Sequence, residues 1–248
     1  MELWVYTIVS VFIVSSISLI GIFTLSFKKE RLKKILLLLV SFSVGGLFGD
    51  AFIHLLPESF KRLGINLITS LYIVLGILIF FVLEKFIRWR HCHITGSKEH
   101  LHPIVTMNLV GDTVHNLIDG MVIGGSYIVS IPVGISTTIA VILHEIPQEI
   151  GDFGVLVHGG LAVKRAILFN FLSALAAVLG AFISLIVGPH VEGYALALLP
   201  ITAGGFLYIA GSDLIPELQH NVKVSTSLWQ FIAIILGVSI MALLVFLG

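Results

Sequence analysis

Six stretches of this chain contain no Asp, Glu, Lys or Arg: positions 3–27, 63–83, 120–144, 166–191, 193–212 and 224–248. About 20 apolar residues let a helix cross the hydrocarbon core of a bilayer, so each stretch is a candidate span. Two more apolar segments, 35–57 and 104 to about 126, are interrupted only by single polar groups. The window that opens at Gly120 divides at Ser130-Ile-Pro132, which ends a fourth span and begins a fifth. Eight spans follow, near 3–27, 35–57, 65–87, 104–126, 133–158, 166–187, 194–216 and 228–247. These runs are long and continuous, whereas an outer-membrane barrel needs alternating segments of about ten residues. With 57% of its 248 residues apolar and 11% charged, the chain lacks the polar side chains to cover a globular surface; roughly a quarter charged is usual. That excludes a soluble enzyme, a disordered chain and a nucleic-acid-binding domain. The single cysteine, Cys92, excludes an internal disulfide. The expected fold is all-α: a polytopic membrane protein of eight transmembrane helices, one transporter-like unit over 1–248.

Lys and Arg set the orientation. Of the 14 in the chain, only Lys61 and Arg62 fall on one side of the eight spans. The rest, from Lys28 through Lys85, Arg88, Lys98 and Lys164 to Lys223, fall on the other. The expectation is both termini outside, the loop at about 88–103 in the cytoplasm, and residence in the plasma (inner) membrane. The first span is too long, and its positive charges follow rather than precede it, for a cleaved signal peptide.

The chain also repeats itself. Gly45-Gly46 leads to His54-Leu-Leu-Pro57-Glu58, and Gly204-Gly205 leads to Asp213-Leu-Ile-Pro216-Glu217, at a constant offset of 159. The second and seventh spans run in opposite directions, so spans 1–3 and 6–8 form inverted repeats flanking spans 4 and 5. Inverted repeats around a midplane site mark transporters.

Seven acids lie inside spans: Asp50, Asp112, Asp119, Glu145, Glu149, Asp152 and Asp213. A carboxylate in hydrocarbon costs a few kcal/mol, and no basic residue shares their depth. Such groups must be protonated, wet or occupied by a cation. On span 4, Asp112, His115, Asn116 and Asp119 occupy an arc of about 100°, and on span 5, His144, Glu145, Gln148, Glu149 and Asp152 fit within about 140°. Two antiparallel helices bring these faces together at mid-depth. Imidazoles and carboxylates one turn apart suit a borderline divalent ion such as Zn²⁺. Pro147 leaves the Leu143 carbonyl without its helical partner, free for a cation or a water. On span 2, Asp50, His54 and Glu58 share a face and climb outward. Asp112, Glu149, Asp152 and His158 descend inward.

His115-Asn-Leu-Ile-Asp119-Gly and His144-Glu-Ile-Pro-Gln148-Glu149-Ile-Gly-Asp152 resemble the paired signature of the ZIP (Zrt/Irt-like) metal transporters, in the branch with an HNxxD helix and an HExPHE helix. The segments around Asp50–Glu58 and Phe206–Glu217 are similar to that family too. The resemblance implies import of Zn²⁺ or a related divalent ion into the cytosol, with His115, Asn116, Asp119, His144, Glu145 and Gln148 as transport ligands for one ion or two adjacent ones. Gln148 stands where that branch has histidine, and a long His-rich extracellular domain is absent. The implied partners are the metal ion and the bilayer, with a homodimer left open and neither a nucleic acid nor a prosthetic group.

Three other readings compete. An intramembrane zinc metalloprotease would use His144-Glu145-Ile-Pro-Gln148 as a degenerate HExxH, in which a second histidine is required; Gln148 occupies that place, and the expectation is that the chain is not an enzyme. A cation channel would need no repeat, and a structural or receptor protein would need no intramembrane acids. The segment from His91 through Cys92 to His102 either holds metal after release or is a solvated polar loop.

Overall fold

The computed structural model describes residues 2–24, 29–89, 103–191, 193–219 and 224–247. The segment His91–His102, with Cys92, lies outside the described residues, as do the side chains of His158, Asp213 and Glu217. Helices account for nearly all that is described. The first span is α1 (Glu2–Ile17), carried on by a 3₁₀ turn, Ser18–Ile20, into α2 (Gly21–Thr24). The second is one rod made of α3 (Lys29–Gly49), a π-helical turn at Asp50–Leu55, and α4 (Leu56–Leu63). Then come α5 (Leu67–Trp89), α6 (Pro103–Val129) and α7 (Ile131–His158). The sixth span breaks at Leu175 into α8 (Val163–Ala174) and α9 (Ala176–Val187). The seventh is α10 (Tyr194–Tyr208), a second π turn at Ile209–Leu214, and α11 (Ile215–Gln219); the eighth is α12 (Val224–Leu244).

Five of these stretches are long and apolar enough to cross a membrane: Glu2–Ile20, Lys34–Leu63, Val163–Val187, Tyr194–Ser212 and Val224–Leu244, with Leu67–Leu83 a shorter apolar helix. The helices α6 and α7, at 27 and 28 residues, have the length. Their polar groups, which build the site described below, keep them out of that set. The chain is a multi-pass helical membrane protein.

Hydroxyl residues within the spans turn back onto their own helices, where no water is at hand to satisfy them. Ser41, Ser59 and Thr138 donate to the carbonyls of Leu37, Leu55 and Gly134. Ser130 caps α7: its backbone is extended, its hydroxyl accepts from the Val133 N–H, and Pro132 sits in the first turn, where a missing N–H costs nothing.

Small residues set how closely the rods cross. Where α3 meets α12, a Cβ on Gly45 would strike the Ile234 carbonyl, and one on Gly237 the Phe42 carbonyl. Where α10 meets α5, Gly204 lies against the Ile73 carbonyl and Gly76 against the Ile201 carbonyl. Residues 42 and 45 map onto 201 and 204 at the offset of 159, so both crossings are the same joint built twice. The two π turns obey the same rule, since 50–55 becomes 209–214. Each turn is followed by a proline, Pro57 or Pro216. An α-helical proline clashes with the carbonyl four residues back and leaves it unpaired; the wider π turn relieves that conflict. The repeat read from a few matched residues therefore extends to backbone conformation and to helix–helix contact.

Candidate metal centre

α6 and α7 run antiparallel and pack together. His115 and Asp119, one turn apart on α6, face His144 and Glu145 on α7. One ligand atom from each of these four residues lies within 4.8 Å of all the others. The His144 Nε2 is 3.1 Å from Asp119 Oδ2 and 3.6 Å from Glu145 Oε1. The His115 Nε2 is 3.4 Å from Glu145 Oε1 and 3.8 Å from Asp119 Oδ2. The two Nε2 atoms are 3.4 Å apart. His144, Asp119 and Glu145 are essentially inaccessible, while the His115 side chain keeps 15% of its surface.

Tautomers explain the chemistry. His144 Nδ1 is 3.1 Å from the Ala140 carbonyl. A carbonyl only accepts, so Nδ1 carries a proton, and in the neutral ring Nε2 then presents its lone pair to the cluster. All four carboxylate oxygens of Asp119 and Glu145 are buried and without a hydrogen-bond partner in the protein. Lone pairs on imidazole and carboxylate at these separations repel unless a positive charge lies between them. The donor set, two imidazole nitrogens and two carboxylates, suits Zn²⁺ and neighbouring divalent ions. Behind it, the Phe80 ring meets His115 edge-on at 6.0 Å between centroids, and Phe206 meets His144 at 5.9 Å. These rings from α5 and α10 fix the imidazole planes.

Asn116 follows His115 on α6, and its side-chain oxygen is buried and without a hydrogen-bond partner in the protein. Asn116 donates from Nδ2 to the Asp112 carboxylate at 2.8 Å and to the Asp112 carbonyl at 3.1 Å. Gln148 is half-buried, one turn beyond His144. The Leu143 carbonyl, freed by Pro147, lies within hydrogen-bond reach of the Ser43 hydroxyl of α3, whose one proton is shared between it and the Leu39 carbonyl. The sequence reading overlooked Ser43 because serine at mid-span is usually a private back-bond.

The three polar groups of the second span meet different elements. Asp50 is buried, with both carboxylate oxygens unpartnered, and lies beside Ser136 and Thr137 of α7. His54 Nε2 turns instead to the Met241 carbonyl of α12, at 2.9 Å. Glu58 pairs with Arg62, with Lys61 at 3.9 Å.

The other acids have partners from elements that charge patterning ignored. Asp112 accepts from Ser173 of α8, Glu149 from Asn170 of α8 at 2.5 Å, and Asp152 from Asn108 of α6 at 2.7 Å. Asn170 and Ser173 were hidden in a stretch noticed only for its lack of charge. Their spacing of three on a helix was the available signal.

The family model described as "ZIP Zinc transporter" matches residues 1–103 and 91–245. Among curated relatives, the chain is 32% identical to "Zinc transporter zipt-7.1" of Caenorhabditis briggsae, over 82% of its own length and 69% of the relative's. It is 35% identical to "Zinc transporter ZIP13" of Pongo abelii, over 83% of its length and 65% of the relative's. With "Zinc transporter SLC39A7" of Rattus norvegicus it shares 27% identity over 98% of its length and 72% of the relative's. The chain thus spans about two thirds of the length of these three relatives. Two pairs of histidine and carboxylate on facing helices, set within a duplicated membrane scaffold and matched end to end by the family model, make this chain a member of the ZIP zinc transporter family.

Proposed function

We propose that the chain imports Zn²⁺ or a related divalent ion into the cytosol through a central site on α6 and α7. One observation carries this reading: His115, Asp119, His144 and Glu145 converge, and their buried carboxylates have no partner in the protein. An ion there would offset the burial of two carboxylates, and shedding water for imidazole and carboxylate ligands would discriminate against harder ions. Asn116 and Gln148 flank the site as further oxygen donors. Asp50 marks the route from outside, with His54 and Glu58 nearer the surface, and Asp112, Glu149 and Asp152 the route to the cytosol. The unit covers 1–248, sits in the plasma membrane and keeps both termini outside. Metal is its cargo, so no prosthetic group is needed. The peptidase alternative is the weaker reading, since Gln148 stands where HExxH requires a second histidine and the chain belongs to a zinc transporter family.

Uptake of radioactive Zn²⁺ by liposomes holding the purified chain tests this. Asp119→Ala and His144→Ala should fall to the background of empty liposomes while eluting as folded protein. Uptake near the unmutated rate in either variant would remove the site from the route.

A further inference from the structure

Pro147 breaks the hydrogen-bonded ladder of α7 beside the cluster. Residue 147 has no N–H, so the Leu143 carbonyl loses the partner that a regular helix would give it. His144 and Glu145 lie inside the turn that this break leaves open. His144 has a second hold, from its Nδ1 to the Ala140 carbonyl. Glu145 has none. Both its carboxylate oxygens are buried and without a hydrogen-bond partner, so its place is set by its own rotamer and by the backbone of this turn.

The neighbouring helix closes the break. The Ser43 hydroxyl, on α3 and wholly buried, reaches the Leu143 carbonyl and shares its proton with the Leu39 carbonyl at 2.8 Å. One turn further along α3, Gly46 makes room for the Leu143 side chain: a Cβ there would come within 2.6 Å of Leu143 Cδ1. Leu143 is thus met by α3 at its carbonyl and at its side chain. The second repeat offers a comparison. Thr202 stands at the offset of 159 from Ser43, is 2% exposed, and its hydroxyl has no hydrogen-bond partner. α10 packs against α6 as α3 packs against α7, yet α6 has no proline after its first residue and so frees no carbonyl. The hydroxyl crosses to its neighbour in the repeat where a proline supplies an acceptor, and stays unpaired in the other.

From this geometry we infer that Ser43 is a positioning residue for the metal site. By holding the Leu143 carbonyl it fixes the bend of α7 at which His144 and Glu145 meet His115 and Asp119. Helices bend at proline, and a loose bend would swing both groups at once. The inference rests on the central cluster being the metal site.

The test is binding of Co²⁺, a spectroscopic stand-in for Zn²⁺, to the purified full chain in detergent, read by visible absorption. Ser43→Ala should weaken Co²⁺ by about fivefold, the weight of one hydrogen bond, and alter the band shape. Pro147→Ala returns an N–H to the Leu143 carbonyl, so adding Ser43→Ala to it should change affinity by less than about twofold. Such non-additivity separates a tether from packing, which would cost the same in both backgrounds. Where Pro147→Ala alone abolishes binding, Ser43→Thr decides: it keeps the hydroxyl, uses the residue of the second repeat, and should bind as the wild type does. Unchanged affinity and spectrum in Ser43→Ala overturn the inference. A fivefold loss that persists beside Pro147→Ala overturns it too, as does Ser43→Thr binding as weakly as Ser43→Ala where that background does not bind. His144→Ala separates the two readings. If Co²⁺ fails to bind the wild type, or binds with a spectrum that His144→Ala leaves unaltered, the central site falls and the positioning role with it. If His144→Ala abolishes the spectrum and Ser43→Ala does nothing, the positioning role alone falls.

Discussion

The two ends of the α6–α7 pair are built on opposite terms. On one side of the histidines, Val122, Ile123, Ser126, Tyr127, Ser136, Thr137, Ala140 and Val141 are all buried. A Cβ added to Gly120 would strike the Ala177 carbonyl, and one on Gly134 the Tyr127 ring. Ser10 of α1 bonds to the Tyr127 hydroxyl at 2.8 Å and ties the end shut. On the other side, Thr113, Gly151 and Gly154 are exposed, and a Cβ at Gly151 or Gly154 would meet nothing within 4 Å. The acids lie toward this loose end. The contrast teaches that access to the central cluster is one-sided in this conformation, through His115, the only one of the four groups with appreciable exposure. The converging groups His115, Asp119, His144 and Glu145 mark the boundary between the packed end and the open one.

Labelling gives the largest contrast. In a Cys92→Ser background, Gly151→Cys should react with a water-soluble thiol reagent at least about 100-fold faster than Thr137→Cys, the ratio that an opening cost near 3 kcal/mol imposes. Equal rates would mean that both ends open freely. Stability comes next. Gly120→Ala should lower stability by about 1–3 kcal/mol through overpacking against backbone, seen as a lower Tm in detergent; an unchanged Tm would show that the tight end yields. Ligand exchange is subtler. Gln148→His sets an imidazole beside the centre on the open side and should shift competition between Zn²⁺ and Mn²⁺ by about tenfold toward Zn²⁺. An unchanged competition profile removes Gln148 from the ion's path. Smallest of all, Gly151→Ala should change stability by less than about 1 kcal/mol and in the favourable direction, since it removes helix-interior glycine without meeting an obstacle. A loss of more than that would mean the loose end is packed by something beyond this chain.

Spans and the paired motifs were legible because hydropathy and a 3.6-residue period are local properties. His115, Asp119, His144 and Glu145 share helical faces, so their convergence needed only that two neighbouring helices be antiparallel. Asn170, Ser173 and Ser43 were not legible in that way. Each acts across helices on a group that its own segment gives no hint of, and each is a neutral residue inside a run noticed only as an apolar span. Asp50, His54 and Glu58 were legible as a spacing of four, but their neighbours were not: the structure sets them beside α7, α12 and Arg62, contacts that a single segment does not announce.

The paired π turns also bear on how the two repeats divide their work. A π turn is an α-helix that has accepted one surplus residue, and such insertions tend to persist only where they are useful. The surplus at 50–55 recurs at 209–214, at the same offset of 159 as the matched residues, so each repeat carries it at the same place ahead of its proline. A one-residue deletion in either turn, read by Tm and by Zn²⁺ uptake, would show which repeat the chain depends on for folding and which for transport.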